Sequence, residues 1–317
     1  MGHDLGYAAL ALLATSTYYV AFVVFRAAAG RMPPLRGGRP FQVAWTMLTD
    51  PVWFGGGLLL FAGLAGEVVA FEELPLAVAQ PVFAVSLVLL VVYAVGVLGE
   101  RMTGREWASV ALFVVATVLI GLSAEDGSAS AERGWRHTLA DPWPLVAVTV
   151  PALLVAGLVW LVGDRRAGGR HARRLAGVAY GIGAGVCAGL AEAGIRGMAL
   201  VFEDSHRDVV AVLNTPYPYL TLGLAALALG QLQVALQRCR LVIIATVLTV
   251  IGRGYLVLAS TVLYHEGWPS DPVPFALRTA GFALALAALV NFPRHERRNA
   301  ADRRNGRNGR NTVQHVQ

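Results

Sequence analysis

The sequence predicts an all-α, polytopic membrane protein of about nine transmembrane helices, arranged in two related, inverted halves of four and five helices. Three observations support this prediction: the composition, the spacing of the apolar runs and the placement of arginine. The chain has 317 residues, of which 56% are hydrophobic and only 15% are charged. A soluble domain carries about 25% charged residues. The composition therefore argues against a soluble globular fold.

The apolar residues fall into nine runs of roughly 20 residues, each long enough to cross a bilayer core of about 30 Å as one helix. The runs cover about 5–27, 51–71, 74–97, 107–123, 144–162, 175–201, 218–237, 241–264 and 273–292. The segments between them are short. The sequence therefore predicts no separate soluble domain.

Arginine supplies all 26 basic residues, and its placement predicts the topology. If the N-terminus lies outside, 20 arginines fall on the cytoplasmic side and three fall outside, at Arg133, Arg136 and Arg207. Cytoplasmic loops are enriched in basic residues, so this asymmetry predicts an outside N-terminus, a cytoplasmic C-terminus and the plasma membrane as location. The net charge of +6 then reflects orientation, and no nucleic-acid partner is expected.

The first span ends near Arg26, and the Pro-, Gly- and Arg-rich segment 27–50 is predicted to be a cytoplasmic loop. The second span begins at Pro51 and contains three consecutive glycines, Gly55 to Gly57, which favour close helix approach. It carries Glu67 about one turn from its outer end.

The third span is predicted to begin at Pro75, because proline is tolerated in the first turn of a helix. Gln80 and Pro81 follow one to two turns later. Proline at that depth removes a backbone hydrogen bond, so a kink is predicted there. The fourth span starts near Trp107 and leads into an acidic outer loop, 124–142.

The sixth span has the clearest packing pattern in the chain. Small residues recur every fourth position, at Gly177, Gly181, Gly185, Gly189, Ala193 and Gly197. Such a small-residue stripe lets a second helix approach closely. Beside it, Glu192 and Arg196 are four residues apart and can pair on one helix face.

The last three spans also carry polar residues. The seventh contains Gln231 and Gln233, which face different directions on a helix, so at most one of them is expected to line a pore. The eighth places Arg253 near its centre between Gly252 and Gly254, a combination that suggests a thin or unwound spot. Arg278, near the outer end of the ninth span, is expected to reach the interface.

A repeat relates the two halves. Gly66 to Trp107 resembles Gly230 to Trp268, with spans two to four matching seven to nine and span one matching span five. The predicted units are residues 1–142, with four helices and the shortened loop 27–50, residues 143–292, with five helices, and a disordered basic cytoplasmic tail, 293–317. Matched halves of opposite orientation are typical of secondary transporters.

Polar groups inside the membrane are the candidate site residues, because burying them in hydrocarbon is costly. The predicted pathway residues are Glu67, Gln80, Glu192, Arg196, Gln231 and Arg253, and the predicted hinge or kink residues are Pro75, Pro81, Gly252 and Gly254. Each has a structural alternative: a carboxylate at the headgroup level for Glu67, a satisfied kink for Gln80, or a self-neutralising ion pair for Glu192. Arg253 is expected either to line the path or to pair with a carboxylate such as Glu192.

The residues of the first hairpin resemble a known family. The stretches GEVVA, LPLAVAQPVFAVSLVL and LGERMTGREW resemble the drug/metabolite transporter superfamily (EamA-like), and within it most nearly the NIPA-like magnesium transporter family. The second copy, ending in LYHEGW, is similar to that family's second hairpin. The resemblance implies Mg²⁺ as substrate and Glu67 as a candidate metal ligand. The sequence departs from the family pattern at Val68 to Ala70, at Gln80 to Val82 and around Ala245 to Val247.

The predicted function is therefore membrane transport of a small solute by alternating access, with a divalent cation such as Mg²⁺ as the leading substrate. A proton-coupled exporter of a small organic metabolite or drug is one alternative, and a non-transporting scaffold or partner subunit is another. No metal-protease, Walker or triad motif occurs in the sequence, so an enzyme is not expected, and neither is a cofactor. The expected partners are the substrate and the lipid bilayer, and a homodimer is one possible assembly.

Overall fold

The structure, a computed structural model, describes residues 2–35, 39–73, 88–99, 104–123, 141–163, 170–264 and 271–288. Within these ranges every regular element is a helix, as predicted. The helices are α1 (Gly2–Arg31), α2 (Pro40–Thr49), α3 (Pro51–Glu73), α4 (88–96), α5 (Gly104–Leu122), α6 (Trp143–Gly163), α7 (Arg170–Asp204), α8 (Val209–Leu213), α9 (Tyr217–Arg238), α10 (Leu241–Tyr264) and α11 (Pro272–Ala288).

The described helices confirm a polytopic membrane protein. Five of them are long and apolar enough to cross a bilayer, and a sixth is added if α2 and α3 count as one bent span. Two shorter apolar helices, Trp107–Ile120 and Pro272–Ala288, correspond to the predicted fourth and ninth spans. The predicted third span begins in residues 74–87, which lie outside the described residues, so the total of nine stays a prediction.

α1 and α3 pack along each other over most of their length. They meet most closely at Gly63, where a methyl group would lie 2.6 Å from the backbone nitrogen of Tyr18. Of the three consecutive glycines, Gly56 faces the ring of Phe25, while methyl groups at Gly55 and Gly57 would have none of the described residues within 4 Å. The predicted close approach therefore occurs, but Gly63 and Gly56 provide it.

Aromatic rings pack along this α1–α3 pair. Tyr18 and Tyr19 meet edge to face with centroids 5.3 Å apart, and Phe25 packs on Trp53 at 5.7 Å. Aromatic pairs at such distances stabilise a core beyond their buried area. α1 also touches α9, which joins this pair to the second half of the chain.

The predicted loop 27–50 is wrong in part, because α1 continues to Arg31 and α2 fills residues 40–49. α2 meets α3 at an angle of 86°. Asp50 separates them with an extended backbone (φ −88, ψ 117), the conformation that the following Pro51 favours by excluding the helical one. The Asp50 carboxylate then accepts a hydrogen bond from the Trp53 backbone nitrogen at 2.8 Å and caps α3.

α7 is the most enclosed of the described helices, since α6, α9 and α10 all pack against it. Its predicted small-residue stripe lies against α10. The closest approach is at Gly189, where a methyl group would lie 2.2 Å from the Gly252 carbonyl oxygen. One end of the stripe, Gly177, faces the Cys239 sulfur, and the other end, Gly197, faces Tyr264.

The opposite face of α7 uses two further glycines to contact α9. A methyl group at Gly183 would lie 2.0 Å from the Gln231 side-chain oxygen, and one at Gly194 would lie 2.2 Å from the Thr221 hydroxyl. α7 therefore has glycines on two faces, and these let both α9 and α10 approach its backbone closely.

α5 and α11 meet at a separate contact. A methyl group at Gly281 would lie 2.9 Å from the Ala116 carbonyl oxygen. The Arg278 guanidinium donates to the hydroxyl of Ser123 at 3.2 Å and to its carbonyl oxygen at 3.1 Å. Arg278 thus binds the last turn of a neighbouring helix.

Candidate functional site

Several predicted site residues lie outside the described part of the chain. Pro75, Gln80 and Pro81 fall in residues 74–87, and Glu67 belongs to α3 but its side chain is not described. Their roles in the pathway, and that of Glu67 as a metal ligand, stay predictions.

Glu192 of α7 and Arg253 of α10 form an ion pair, with 3.4 Å between an Arg253 nitrogen and a Glu192 oxygen. The two side chains are 42% and 43% exposed, Glu192 and Arg253 respectively. Pairing between these two residues was one of the possibilities left open by the sequence. The charges therefore partly neutralise each other while nearly half of each side chain remains accessible from outside the protein core.

The position of this pair follows from the glycine contact next to it. Glu192 lies three residues after Gly189, and Arg253 directly follows Gly252, so the ion pair flanks the closest contact between α7 and α10. Because the two backbones nearly touch there, their long side chains project to the side of the contact. Arg196, one turn further along α7, is also exposed, which extends the polar patch along the helix.

Of the two alternatives expected beside Arg253, a thin spot or an unwound one, the structure shows the thin one. α10 runs as a helix through Gly252, Arg253 and Gly254, and the helix keeps its own backbone hydrogen bonds. Gly252 makes the helix thin where Gly189 approaches, whereas a methyl group at Gly254 would have nothing within 4 Å in the described part of the chain. Packing against α7 accounts for the first glycine, and no contact among the described residues accounts for the second.

Gln231 is fully buried between α6, α7 and α9. Its amide nitrogen donates to the Ala156 carbonyl oxygen of α6 at 3.0 Å, while its carbonyl oxygen has no partner among the described residues. The indole nitrogen of Trp160, one turn further along α6, is likewise buried without a partner in that part of the chain. Gln231 thus lies on no open surface in this conformation.

Gln233 faces the other way, as expected for residues two apart, and contacts α1. Its amide nitrogen donates to the Phe25 carbonyl oxygen at 3.1 Å. Gln237, one turn later, donates to the carbonyl oxygens of Ala29 and Pro33, both at 3.1 Å, and accepts from the Leu35 backbone nitrogen at 2.8 Å.

Arg26 completes this contact from the α1 side by donating to the Leu236 carbonyl oxygen. We call the group Arg26, Gln233 and Gln237 the α1–α9 latch. It joins residues more than 200 positions apart in the sequence. Gln237 and Arg26 had no predicted role, although the spacing of Gln233 and Gln237, four apart on one helix face, could have indicated a shared partner.

The described residues contain no group of three or more His, Cys, Asp or Glu side chains that could hold a metal ion. The described residues do bring together two kinds of polar contact. One is the half-exposed Glu192–Arg253 ion pair, and the other is the set of hydrogen bonds in the α1–α9 latch. Such an arrangement can bind a hydrated ion or a small polar solute through one carboxylate and can join or release two parts of the chain.

A family model described as magnesium transporter NIPA matches residues 6–296, nearly the whole chain. Neither the curated proteins nor the solved structures give a match.

Proposed function

The chain belongs to the magnesium transporter NIPA family and is a multi-pass membrane transporter; from this premise we propose that it moves Mg²⁺ across the bilayer by alternating access. The observation that supports the substrate is the family match over residues 6–296.

The Glu192–Arg253 pair is the proposed contact on the transport path. Mg²⁺ keeps several of its waters and is usually held through only one or two carboxylates. Glu192 can supply such a ligand when Arg253 moves aside, since nearly half of its side chain is accessible. Arg253 balances the carboxylate when no ion is present, which lowers the cost of an empty site in a low-dielectric surrounding. Glu67 is the second proposed ligand.

The α1–α9 latch supports the proposal of alternating access. An alternating transporter must close one side of its path with contacts that form and break between its two parts. The latch joins the first half of the chain to the second through side-chain amides and one guanidinium. In the proposed orientation, with the N-terminus outside and the C-terminus cytoplasmic in the plasma membrane, the latch is the closed cytoplasmic gate.

A second candidate function is proton-coupled export of a small organic solute, and the ion pair is the observation that favours it. Arg253 would repel a bare cation, whereas it could bind an anionic or hydrogen-bonding solute while Glu192 exchanges a proton. Both functions use the same residues, so the substrate must be measured directly.

The test is flux into and out of proteoliposomes, with a Mg²⁺ reporter inside one set and a pH reporter inside another. Wild type, Glu192→Gln and Glu67→Gln are compared with Glu203→Gln, an exposed glutamate at the end of the same helix as Glu192. We expect Mg²⁺ flux in wild type and Glu203→Gln, and at least a tenfold loss in Glu192→Gln.

Proton movement that depends on Glu192 and on added metabolites, without Mg²⁺ flux, would replace magnesium transport by proton-coupled export. If folded wild-type protein gives neither a Mg²⁺ signal nor a pH signal, the result would favour a scaffold or partner subunit. If Glu67→Gln alone is as active as wild type, Glu67 is removed from the path while the rest of the proposal stands.

A further inference from the structure

α2 has two contrasting faces. Val43 and Met47 are 2% and 4% exposed and belong to the core that contains Phe25 of α1. Phe41, Trp45 and Leu48 are 89%, 71% and 64% exposed. These three occupy positions i, i+4 and i+7, so they form one apolar stripe along the outer face. The core therefore covers two of the five large apolar side chains of this helix and leaves the other three exposed.

The orientation of α2 relative to the bilayer follows from its neighbour. α3 is long and apolar and lies in the bent pair that counts as one candidate span. α2 turns away from it by 86° at Asp50. If α3 crosses the bilayer near its normal, α2 runs close to the membrane plane at the end of that span. With ten residues it is about 15 Å long, too short to cross the core.

Two basic residues precede α2. Arg31 ends α1 and Arg39 directly precedes α2, and both are exposed. Basic residues next to an apolar stripe are typical of helices that lie on an anionic membrane surface. Tryptophan adds to this pattern, because its ring favours the boundary between headgroups and acyl chains.

We propose that α2 is an in-plane membrane anchor, whose Phe41, Trp45 and Leu48 enter the acyl boundary while Arg31 and Arg39 contact anionic phospholipid headgroups. The occupant of the exposed stripe is thus the lipid interface. This assignment is independent of what the protein transports, and it holds on whichever side of the membrane α2 lies. It distinguishes α2 from a re-entrant helix, which would dip into the core.

The depth of the stripe can be measured with nitroxide labels on cysteines introduced by Phe41→Cys, Trp45→Cys and Leu48→Cys, one at a time. Cys187 and Cys239, which are buried, are first replaced by alanine. Collision rates with oxygen and with a water-soluble nickel reagent then give the depth of each label. Leu154→Cys, on the exposed face near the middle of the α6 span, gives the deep reference, and Glu203→Cys gives the surface reference.

We expect the three labels to lie at one shared depth, about 5–10 Å below the headgroup boundary. A depth that increases steadily along the helix would show a re-entrant segment and overturn the proposal. Low collision rates with both reagents would show that protein, such as a second copy of the chain, covers the stripe. High rates with the nickel reagent alone would show a water-exposed helix. Either result would also overturn the proposal.

The headgroup contact is tested in vesicles of phosphatidylcholine with and without phosphatidylglycerol. We expect phosphatidylglycerol to reduce the mobility of the Leu48→Cys label, and we expect Arg31→Gln with Arg39→Gln to abolish this difference. An equal response in the double variant would overturn the role of the two arginines. Circular dichroism of each variant confirms that the helices remain folded. Because no flux is measured, failure here is separate from failure of the transport proposal.

Discussion

The helices within each half of the chain pack through different kinds of contact. In the first, α1 packs directly on α3, and rings such as Tyr18, Phe25 and Trp53 line that pair. In the second, α7 lies among α6, α9 and α10, and its contacts are made by glycine on two faces. Where the first half has the ten-residue α2, the second has the 35-residue α7.

This difference indicates which half holds the polar site. Aromatic packing needs no polar partner, so the α1–α3 pair suits a scaffold. Glycine contacts bring backbones close and leave longer side chains beside the contact. In the second half these include Glu192, Arg253 and the buried Gln231. A helix that packs through glycine on two faces can thus carry polar groups into a bilayer and still be well packed.

The largest expected effect is that of Gly189→Ala. The new methyl group would lie 2.2 Å from the Gly252 carbonyl oxygen, and because this is backbone, α7 and α10 must separate. Overpacking of this kind costs about 3 kcal/mol or more. Thermal unfolding in detergent measures the loss. Gly254→Ala is the control, since no described residue lies within 4 Å of its methyl group, and it should be neutral or slightly stabilising.

Gly63→Ala tests the same kind of contact in the first half. Its methyl group would lie 2.6 Å from the Tyr18 nitrogen and 2.9 Å from the Ala14 carbonyl oxygen. We expect a smaller loss, about 2 kcal/mol, because α1 is enclosed on fewer sides than α7 and can shift. Gly57→Ala is the control, because its methyl group would have no neighbour within 4 Å in the ranges that the structure describes. A loss equal to that of Gly189→Ala would contradict the contrast between the halves.

Gln237→Leu tests the latch between the halves. It removes hydrogen bonds to Ala29 and Pro33 and leaves the Leu35 backbone nitrogen without its acceptor. A loss of about 1–2 kcal/mol is expected. Cys239 is the reporter, because it is only 9% exposed. The reaction of its thiol with a water-soluble maleimide should accelerate in Gln237→Leu. Gln42→Leu, the same substitution at a glutamine outside the latch, is the control, and in it the reaction should stay slow. Equal rates would show that the latch does not hold a gate.

The smallest expected effect on stability is that of Glu192→Gln. An ion pair with half-exposed partners contributes at most about 1 kcal/mol when water reaches it. If the exposed sides of Glu192 and Arg253 faced lipid instead, removing the carboxylate that neutralises the arginine would cost about 2.5 kcal/mol or more. Thermal unfolding of Glu192→Gln beside wild type therefore reports whether the pair faces a water-filled path. A loss above about 2 kcal/mol would place it against lipid.

Much of the fold was predictable because hydrophobic runs and small-residue stripes are local signals. The stripe from Gly177 to Gly197 indicated a close helix contact, and α10 makes that contact. The sequence could not identify α10 as the partner, since nothing in a stripe encodes what it touches. The pairing of Glu192 with Arg253 was one of several possibilities, because each charge had other possible partners in the sequence.

Other features depended on signals too short or too distant to interpret. The sequence predicts a loop in place of α2, because Pro-, Gly- and Arg-rich residues precede it and its ten residues are too few to form a run that could cross a membrane. The latch joins positions more than 200 residues apart, and no local pattern in Arg26 or Gln237 specifies the other. Gln231 and Gln233 were correctly expected to face different directions, since helical geometry alone requires it.

The break at Asp50 and Pro51 also matters for how the chain enters a membrane during synthesis. Without it, the ten residues of α2 and the 23 of α3 would emerge from the ribosome as one apolar helix of about 50 Å. Any stretch of about 20 residues within that helix could then become the segment that crosses the membrane. We expect the carboxylate and the proline to mark where the membrane-crossing part of this region starts.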